Sequence, residues 1–136
     1  MDIRENIYNI AGCLKEVEKL DPERIDQVRQ RINKNIRELI PEESFDENRF
    51  EQELIYYIEK LDINEEKTRL HSHLEYFLQA MESEEASGKK LNFISQEIGR
   101  EINTIGSKAA FAPIQRQVIS MKEELEKIKE QLLNIL

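Results

Sequence analysis

Apolar residues recur at intervals of three and four along nearly the whole chain, and this spacing constrains the fold more than any other feature. A clear example is the segment 88–109, whose apolar positions are Leu91, Ile94, Ile98, Ile102 and Ile105. On an α-helix such positions fall on one face. No segment shows the two-residue alternation of a strand, so the sequence predicts an all-α fold.

About six helices are expected, packed as antiparallel hairpins with coiled-coil-like contacts. The predicted segments are 2–20, 22–40, 46–61, 62–82, 88–110 and 113–136. Asp21 followed by Pro22 is typical of a helix start, Asp46 is a candidate cap for the third helix, and Asp62 with Glu65 predicts a capping box for the fourth. Residues 82–88 are polar and predict a loop.

The first and last helices each carry apolar residues in the four-three alternation of a coiled-coil seam. The first seam contains Ile3, Ile7, Ile10, Leu14 and Val17. The last contains Ile114, Val118, Met121, Leu125, Ile128, Leu132 and Ile135. Two such seams exceed what a small monomer needs, and an apolar stripe left in water promotes association. We therefore expect a homo-oligomer.

Length and composition limit the organisation and the partners. The 136 residues suit a single helical domain, 1–136, with N-terminal helices in 1–61 and a hairpin plus the last helix in 62–136. A net charge of −8 argues against non-specific binding to nucleic acid or to an anionic membrane. The single Cys13 fits a reducing compartment. With no apolar run of membrane-spanning length and no signal peptide, we expect a cytoplasmic protein.

Two stripes of mixed polar residues flank the apolar faces of the fourth and fifth predicted helices. The first stripe contains Glu66, Arg69, His73 and Tyr76, and the second contains Glu97, Glu101 and Lys108, with Arg100 nearby. Helices joined by a short loop usually pack antiparallel, so the stripes can face one another. His73, Glu97 and Glu101 then offer one imidazole and two carboxylates, which suit a divalent cation or a general base. Arg69, Arg100 and Lys108 suit a phosphate group.

The same residues are also compatible with purely structural roles. A lone histidine such as His73 beside an apolar stripe is usually packed or hydrogen-bonded at a helix interface. Glu97 and Glu101 can pair with neighbouring Lys or Arg residues on a solvated face. The second predicted helix is the most basic part of the chain, but nearby acidic residues dilute it and favour a solvated face over a nucleic-acid surface. Its basic residues are Arg24, Arg29, Arg31, Lys34 and Arg37.

The run 88–108 resembles the signature of the bacterial YicC family, and residues 62–74 resemble that family's second block. A weaker similarity extends from about residue 22 to the end. The positions that coincide with the family pattern are Glu65, Glu66, Arg69, His73, Gly88, Glu97, Arg100, Glu101, Asn103 and Lys108. The resemblance implies a metal-dependent endoribonuclease that assembles into ring-like oligomers, with RNA as its partner and Mn²⁺ or Mg²⁺ as its cofactor.

Members of that family carry an N-terminal half that this sequence lacks, so the chain resembles the C-terminal portion. We expect a seam to dock against such a half or to join copies, and the chain to be inactive alone if half of the active site lies elsewhere. By this hypothesis Glu97 and Glu101 bind the cation that activates water, with His73 as third ligand or acid/base. Arg69, Arg100 and Lys108 clamp phosphates. The alternatives are a non-catalytic helical oligomerisation module and an RNA-binding module that does not cleave.

Overall fold

The computed structural model describes residues 2–83 and 87–135, and these residues are almost entirely helical, with no strand among them. The helices are α1 (Ile3–Leu39), α2 (Glu47–Lys60), α3 (Asn64–Glu82), α4 (Gly88–Lys108) and α5 (Ala112–Ile135), with a 3₁₀ turn at Glu42–Ser44. The all-α prediction is confirmed. No helix in this described part is both long and apolar enough to cross a membrane.

One long helix, α1, replaces the first two predicted helices, because the chain continues through Asp21 and Pro22 without a break. A proline inside a helix removes one backbone hydrogen bond and crowds the preceding turn. Here Asp21 and Arg24 are both buried and are joined by a 2.7 Å hydrogen bond. Asp21 also accepts a 3.3 Å hydrogen bond from Nζ of Lys67 on α3, so its carboxylate serves contacts between helices. The predicted helix start at Asp21 was therefore wrong, since tertiary contacts outweigh the local capping preference.

The remaining boundaries lie close to the predicted ones. Asp46 caps α2 as expected, accepting a hydrogen bond from the backbone of Arg49 at 3.1 Å. The first helical residue of α3 is Asn64, and Asp62 accepts only a long 3.4 Å bond from its N–H, so the predicted capping by Asp62 was wrong. Ser87 caps α4. Part of the predicted loop at 82–88, residues 84–86, lies outside the described residues.

The N-terminal half of α1 forms a four-helix bundle with α3, α4 and α5. The main interfaces are α1 with α5, α3 with α4, and α4 with α5. Nearly all residues of the two predicted seams belong to one buried core, and α1 and α5 share the largest interface. The exposed stripe from which a homo-oligomer was expected is therefore covered within the chain. A homo-oligomer stays a prediction.

Residues 25–61 form a two-helix hairpin outside this core. The C-terminal half of α1 packs against α2, and α2 makes no comparable contact with another described helix. Leu54 is the one fully buried residue described in the hairpin, and none of residues 25–61 belongs to the main core. At its tip Arg37 pairs with Glu47 and lies over the ring of Phe45. The hairpin is thus a projection from the bundle.

Two glycines on α4 allow α5 to approach closely. A Cβ at Gly99 would lie 3.1 Å from Cδ2 of Leu125, and one at Gly106 would lie 3.1 Å from Cγ1 of Val118. Both distances are shorter than ordinary van der Waals contacts between carbon atoms. The two glycines stand seven residues apart, so they lie on the same face of α4.

Candidate functional site

An ion pair joins the polar stripes of α3 and α4. Nε of Arg69 donates to both carboxylate oxygens of Glu101, at 3.0 and 3.1 Å. The Glu101 side chain is only 7% exposed, whereas that of Arg69 is 47% exposed. The predicted meeting of the two stripes across an antiparallel hairpin is therefore correct.

A second ion pair lies beside the first. Nζ of Lys108 donates to Oε1 of Glu66 at 2.7 Å and to the backbone carbonyl of Asp62 at 3.3 Å. The Arg69 guanidinium approaches the same Glu66 oxygen at 3.8 Å. Burial raises the pKa of Glu66, but the hydrogen bond from Lys108 and the charges of Lys108 and Arg69 outweigh it, so the pKa lies below its usual value. Two cations thus stand side by side over one buried carboxylate.

Arg69 and Lys108 each have N–H groups that make no hydrogen bond within the cluster. Arginine carries five N–H donors and lysine three. Arg69 uses its Nε on Glu101 and one Nη1 hydrogen on Glu65, and Lys108 uses two of its three. Within the described residues, Oε2 of Glu66 is buried and has no hydrogen-bond partner. The cluster can therefore donate further hydrogen bonds to an oxygen ligand without losing its internal ion pairs.

His73 and Glu97 occupy the neighbouring layer of the α3–α4 interface. His73 follows Arg69 by four residues and Glu97 precedes Glu101 by four, so antiparallel packing places them one turn away from the Arg69–Glu101 pair. Both are partly exposed. In the described part of the chain no hydrogen bond or ion pair joins them.

The third predicted phosphate-binding residue, Arg100, stands apart from Arg69 and Lys108. Its side chain is 73% exposed and its guanidinium lies 3.7 Å from Glu97. The structure therefore brings together two of the three predicted cations. Arg100 extends the charged surface along α4.

The predicted metal ligands do not fit a metal ion as they are arranged here. Across residues 2–83 and 87–135, no group of three or more His, Cys, Asp and Glu side chains is placed to hold one. Both oxygens of Glu101 accept hydrogen bonds from Arg69, which leaves them engaged. Metal binding by His73, Glu97 and Glu101 requires Arg69 to release Glu101, and it stays a prediction.

Arg24 is the residue of this region that the sequence did not indicate. It was expected on a solvated face, but its side chain is only 2% exposed. Its Nη1 donates to the carbonyl of Lys108 at 3.2 Å and its Nη2 to the carbonyl of Leu61 at 2.8 Å. Those carbonyls belong to the ends of α4 and α2, where helices leave acceptors without intrahelical partners. The i,i+3 spacing of Asp21 and Arg24 was the one local signal of this pair.

The fold and the α3–α4 cluster together define a class of protein: an all-α domain with paired charges between two antiparallel helices. Comparison with known proteins identifies the family within this class. Residues 17–136 match the family described as "Endoribonuclease YicC-like, C-terminal". The chain belongs to this family. The resemblance to the YicC family is thereby confirmed.

Two relatives support the same family assignment. The chain is 39% identical, over 135 residues, to a "Probable endoribonuclease YicC" of Clostridioides difficile, an alignment that covers 98% of the chain and 46% of that protein. It is 35% identical, over 92 residues, to the protein of the same name from Haemophilus influenzae, with coverage of 68% and 32%. The chain therefore spans less than half the length of the relatives that it matches.

Proposed function

We propose that this chain is the C-terminal part of an endoribonuclease and that the α3–α4 charged cluster takes part in cleaving RNA phosphodiester bonds. The observation that carries this proposal is the placement of Arg69 and Lys108 side by side over Glu66, each with N–H donors in reserve. Membership of the YicC-like family and the printed names of both relatives support RNA as the substrate.

In this proposal Arg69 and Lys108 bind the non-bridging oxygens of the scissile phosphate. Charge-assisted hydrogen bonds to phosphate are stronger than neutral ones, and they stabilise the charge that develops in the transition state. The buried carboxylates of Glu66 and Glu101 hold the two cations in place before RNA arrives. Arg100, which is exposed on α4, contacts a flanking phosphate.

His73 and Glu97 are the proposed acid and base. Cleavage of a phosphodiester requires one group to take a proton from the attacking oxygen and another to protonate the leaving oxygen. Histidine and carboxylate side chains serve both purposes in enzymes, and these two lie one turn from Arg69 and Glu101. The divalent cation predicted for His73, Glu97 and Glu101 is tested separately, by assaying cleavage with and without metal.

An RNA cleavage assay tests the proposal. The chain is assayed alone and fused behind the N-terminal portion of the Clostridioides difficile relative, each with and without Mn²⁺ or Mg²⁺. We expect the fusion to cleave RNA. A His73→Ala, Glu101→Gln double variant should lose at least about 100-fold in rate, because it removes one proposed acid–base group and the carboxylate that holds Arg69. Metal-dependent cleavage supports the predicted cation site.

The control variant is His71→Ala. His71 lies two residues from His73 on α3, is exposed, and is paired with Glu18 of α1 outside the cluster. This variant should cleave RNA like the unchanged fusion. Full activity of the His73→Ala, Glu101→Gln double variant contradicts the proposal.

A second candidate function is a helical interaction module in which the same charges serve only as ion pairs. The burial of Glu66, whose side chain is 4% exposed, favours this alternative. RNA cleavage distinguishes the two, because an interaction module neither binds nor cleaves RNA in the fusion. Loss of stability does not distinguish them, since cutting one member of a buried pair destabilises in either case. An RNA-binding module without cleavage would instead show salt-dependent RNA affinity and intact RNA.

A further inference from the structure

A second basic surface lies on the hairpin, away from the α3–α4 cluster. Residues 27–37 of α1 contain four Lys or Arg, four Asn or Gln, and no Asp or Glu, in a chain with 28 acidic residues. The remaining three residues of this stretch, Val28, Ile32 and Ile36, are half-buried. The exposed part of this stretch is therefore built from cations and amides alone.

Four of these side chains line one shallow groove on α1. They are Gln27, Gln30, Arg31 and Lys34, and all four are exposed. Their spacing of three, four and seven residues places them on a single face of the helix. Among the described residues, Arg31 and Lys34 make no hydrogen bond or ion pair, whereas Arg37 at the hairpin tip is paired with Glu47. The groove thus carries two cations without an ion pair, and Asp26 lies at its edge, where it accepts a 3.1 Å hydrogen bond from Gln30.

The C-terminal part of α5 shows a different arrangement of charges. On α5, Lys127 is paired with Glu124 and Lys129 with Glu126, as is usual on a solvated face. Residues 26–38 hold four cations against two carboxylates, Asp26 and Glu38 at the two ends, so they create a local positive potential in a chain whose net charge is −8. Together with the cations of the α3–α4 cluster, this patch therefore favours some orientations of an approaching polyanion over others.

We infer that the groove of Gln27, Gln30, Arg31 and Lys34 binds the sugar–phosphate backbone of RNA. The inference rests on the proposed function, and it names a contact surface outside the cleavage site. Arg, Lys, Asn and Gln are the side chains that contact phosphates and sugars in nucleic-acid complexes. The amides also match the ribose 2′-hydroxyl, which both donates and accepts hydrogen bonds. The carboxylates of an acidic polypeptide only accept hydrogen bonds, so they leave the amide oxygens of the groove unused.

The test compares two double variants of the full chain. Arg31→Ala with Lys34→Ala removes the groove cations. Arg116→Ala with Lys122→Ala removes the same charge from exposed residues of α5 that likewise lack ion pairs in the described structure. Binding of a fluorescein-labelled single-stranded RNA is measured by anisotropy over a range of salt concentrations, with helical content checked by circular dichroism.

We expect the groove variant to bind RNA about 25-fold more weakly at about 0.1 M salt, because two lost phosphate contacts reduce the slope of log affinity against log salt by about 1.4. The α5 variant should stay within about 3-fold of the unchanged chain, since it loses no phosphate contact. Polyglutamate serves as an acidic polypeptide probe, and its binding should not depend on the groove.

Three other outcomes would contradict the groove assignment, and they differ in what they mean for the proposed function. If the unchanged chain binds RNA and both variants bind equally well or equally poorly, the groove assignment is overturned while the proposed function stands. If the unchanged chain binds no RNA at any salt concentration, the proposed function fails together with the inference. If the groove variant loses only polyglutamate, the groove is a site for an acidic protein and the inference is wrong.

Discussion

Nε of Arg69 on α3 is shared between the two carboxylate oxygens of Glu101 on α4, at nearly equal distances of 3.0 and 3.1 Å. This pair lies beside the apolar core through which the two helices pack, and it shows the register in which they run past each other. About two turns away, the same register brings Lys108 to the carbonyl of Asp62. The whole charged cluster therefore depends on this one alignment.

The first prediction concerns Glu101→Gln, which keeps the size of the side chain but removes its charge. The charge-assisted bond to Arg69 becomes an ordinary one, so we expect the free energy of unfolding of the chain to fall by about 1 kcal/mol in urea denaturation. Glu65→Gln is the control, since Glu65 also bonds to Arg69 but is exposed. An equal loss in both variants would show that burial of Glu101 is irrelevant.

The second prediction is a pH dependence from Glu66. The hydrogen bond and charge from Lys108, with Arg69, outweigh the effect of burial and hold the folded-state pKa below the usual 4.5. A carboxyl with a lower pKa in the folded state contributes stability above its unfolded-state pKa, and this stability is lost as the pH falls through the folded-state pKa. The free energy of unfolding should therefore decrease as the pH is lowered from about 5 towards 3.

Glu66→Gln should flatten this decrease, because glutamine does not titrate. Chemical denaturation at a series of pH values measures the slope. Glu51→Gln, at an exposed residue of α2 without an ion pair in the described structure, is the control and should leave the slope unchanged. Identical pH curves for the unchanged chain and Glu66→Gln would contradict the assignment.

The third prediction is that Arg24→Lys destabilises the hairpin more than the bundle. Lysine keeps the charge, but it lacks the planar fork with which Arg24 reaches two helix-end carbonyls and Asp21 together. The loss should be about 2 kcal/mol, since two or three hydrogen bonds are broken or weakened. Hydrogen exchange should show faster opening of residues 25–61 than of α4 and α5.

Arg29→Lys provides the matched control for Arg24→Lys, because Arg29 lies five residues further along α1 and is exposed. It should leave both the stability and the exchange pattern unchanged. A hairpin that exchanges no faster in Arg24→Lys would mean that α1 and α2 are held without this side chain.

The fourth prediction separates the two close-packed glycines of α4. Alanine gains about 1 kcal/mol over glycine in a helix interior. At Gly99 the new Cβ meets the end of a leucine side chain, which can rotate, whereas at Gly106 it meets a methyl group of the β-branched Val118. We expect Gly99→Ala to lie within about 0.5 kcal/mol of the unchanged chain and Gly106→Ala to lose about 1 kcal/mol. Thermal denaturation decides, and the reverse order would contradict the packing argument.

The all-α fold could be predicted because apolar periodicity is a local property of the sequence. Ile98, Ile102 and Ile105, placed on the inner face of their helix by spacing alone, are fully buried in the core. The continuity of α1 through Pro22 could not be predicted in this way. Next to this proline, Arg24 donates to carbonyls of residues 61 and 108, which are distant in the chain and near only after folding.

The candidate site was predictable to a similar extent. Helical spacing showed that the stripe of Arg69 and the stripe of Glu101 could face each other, and they do. Spacing could not show which charges pair, because Glu101 is equally suited to a metal ion and to a guanidinium. Which of the two Glu101 binds depends on where the side chains of the facing helix lie.

Because α1 is a single helix, it acts as a rigid spacer between two regions of the molecule. Arg24 fixes one point of the spacer to the end of α4, and Lys34 lies ten residues further on. At a rise of 1.5 Å per residue this is about 15 Å along the axis. An RNA strand that contacts both the hairpin and the α3–α4 cluster would therefore be positioned by a fixed length of helix.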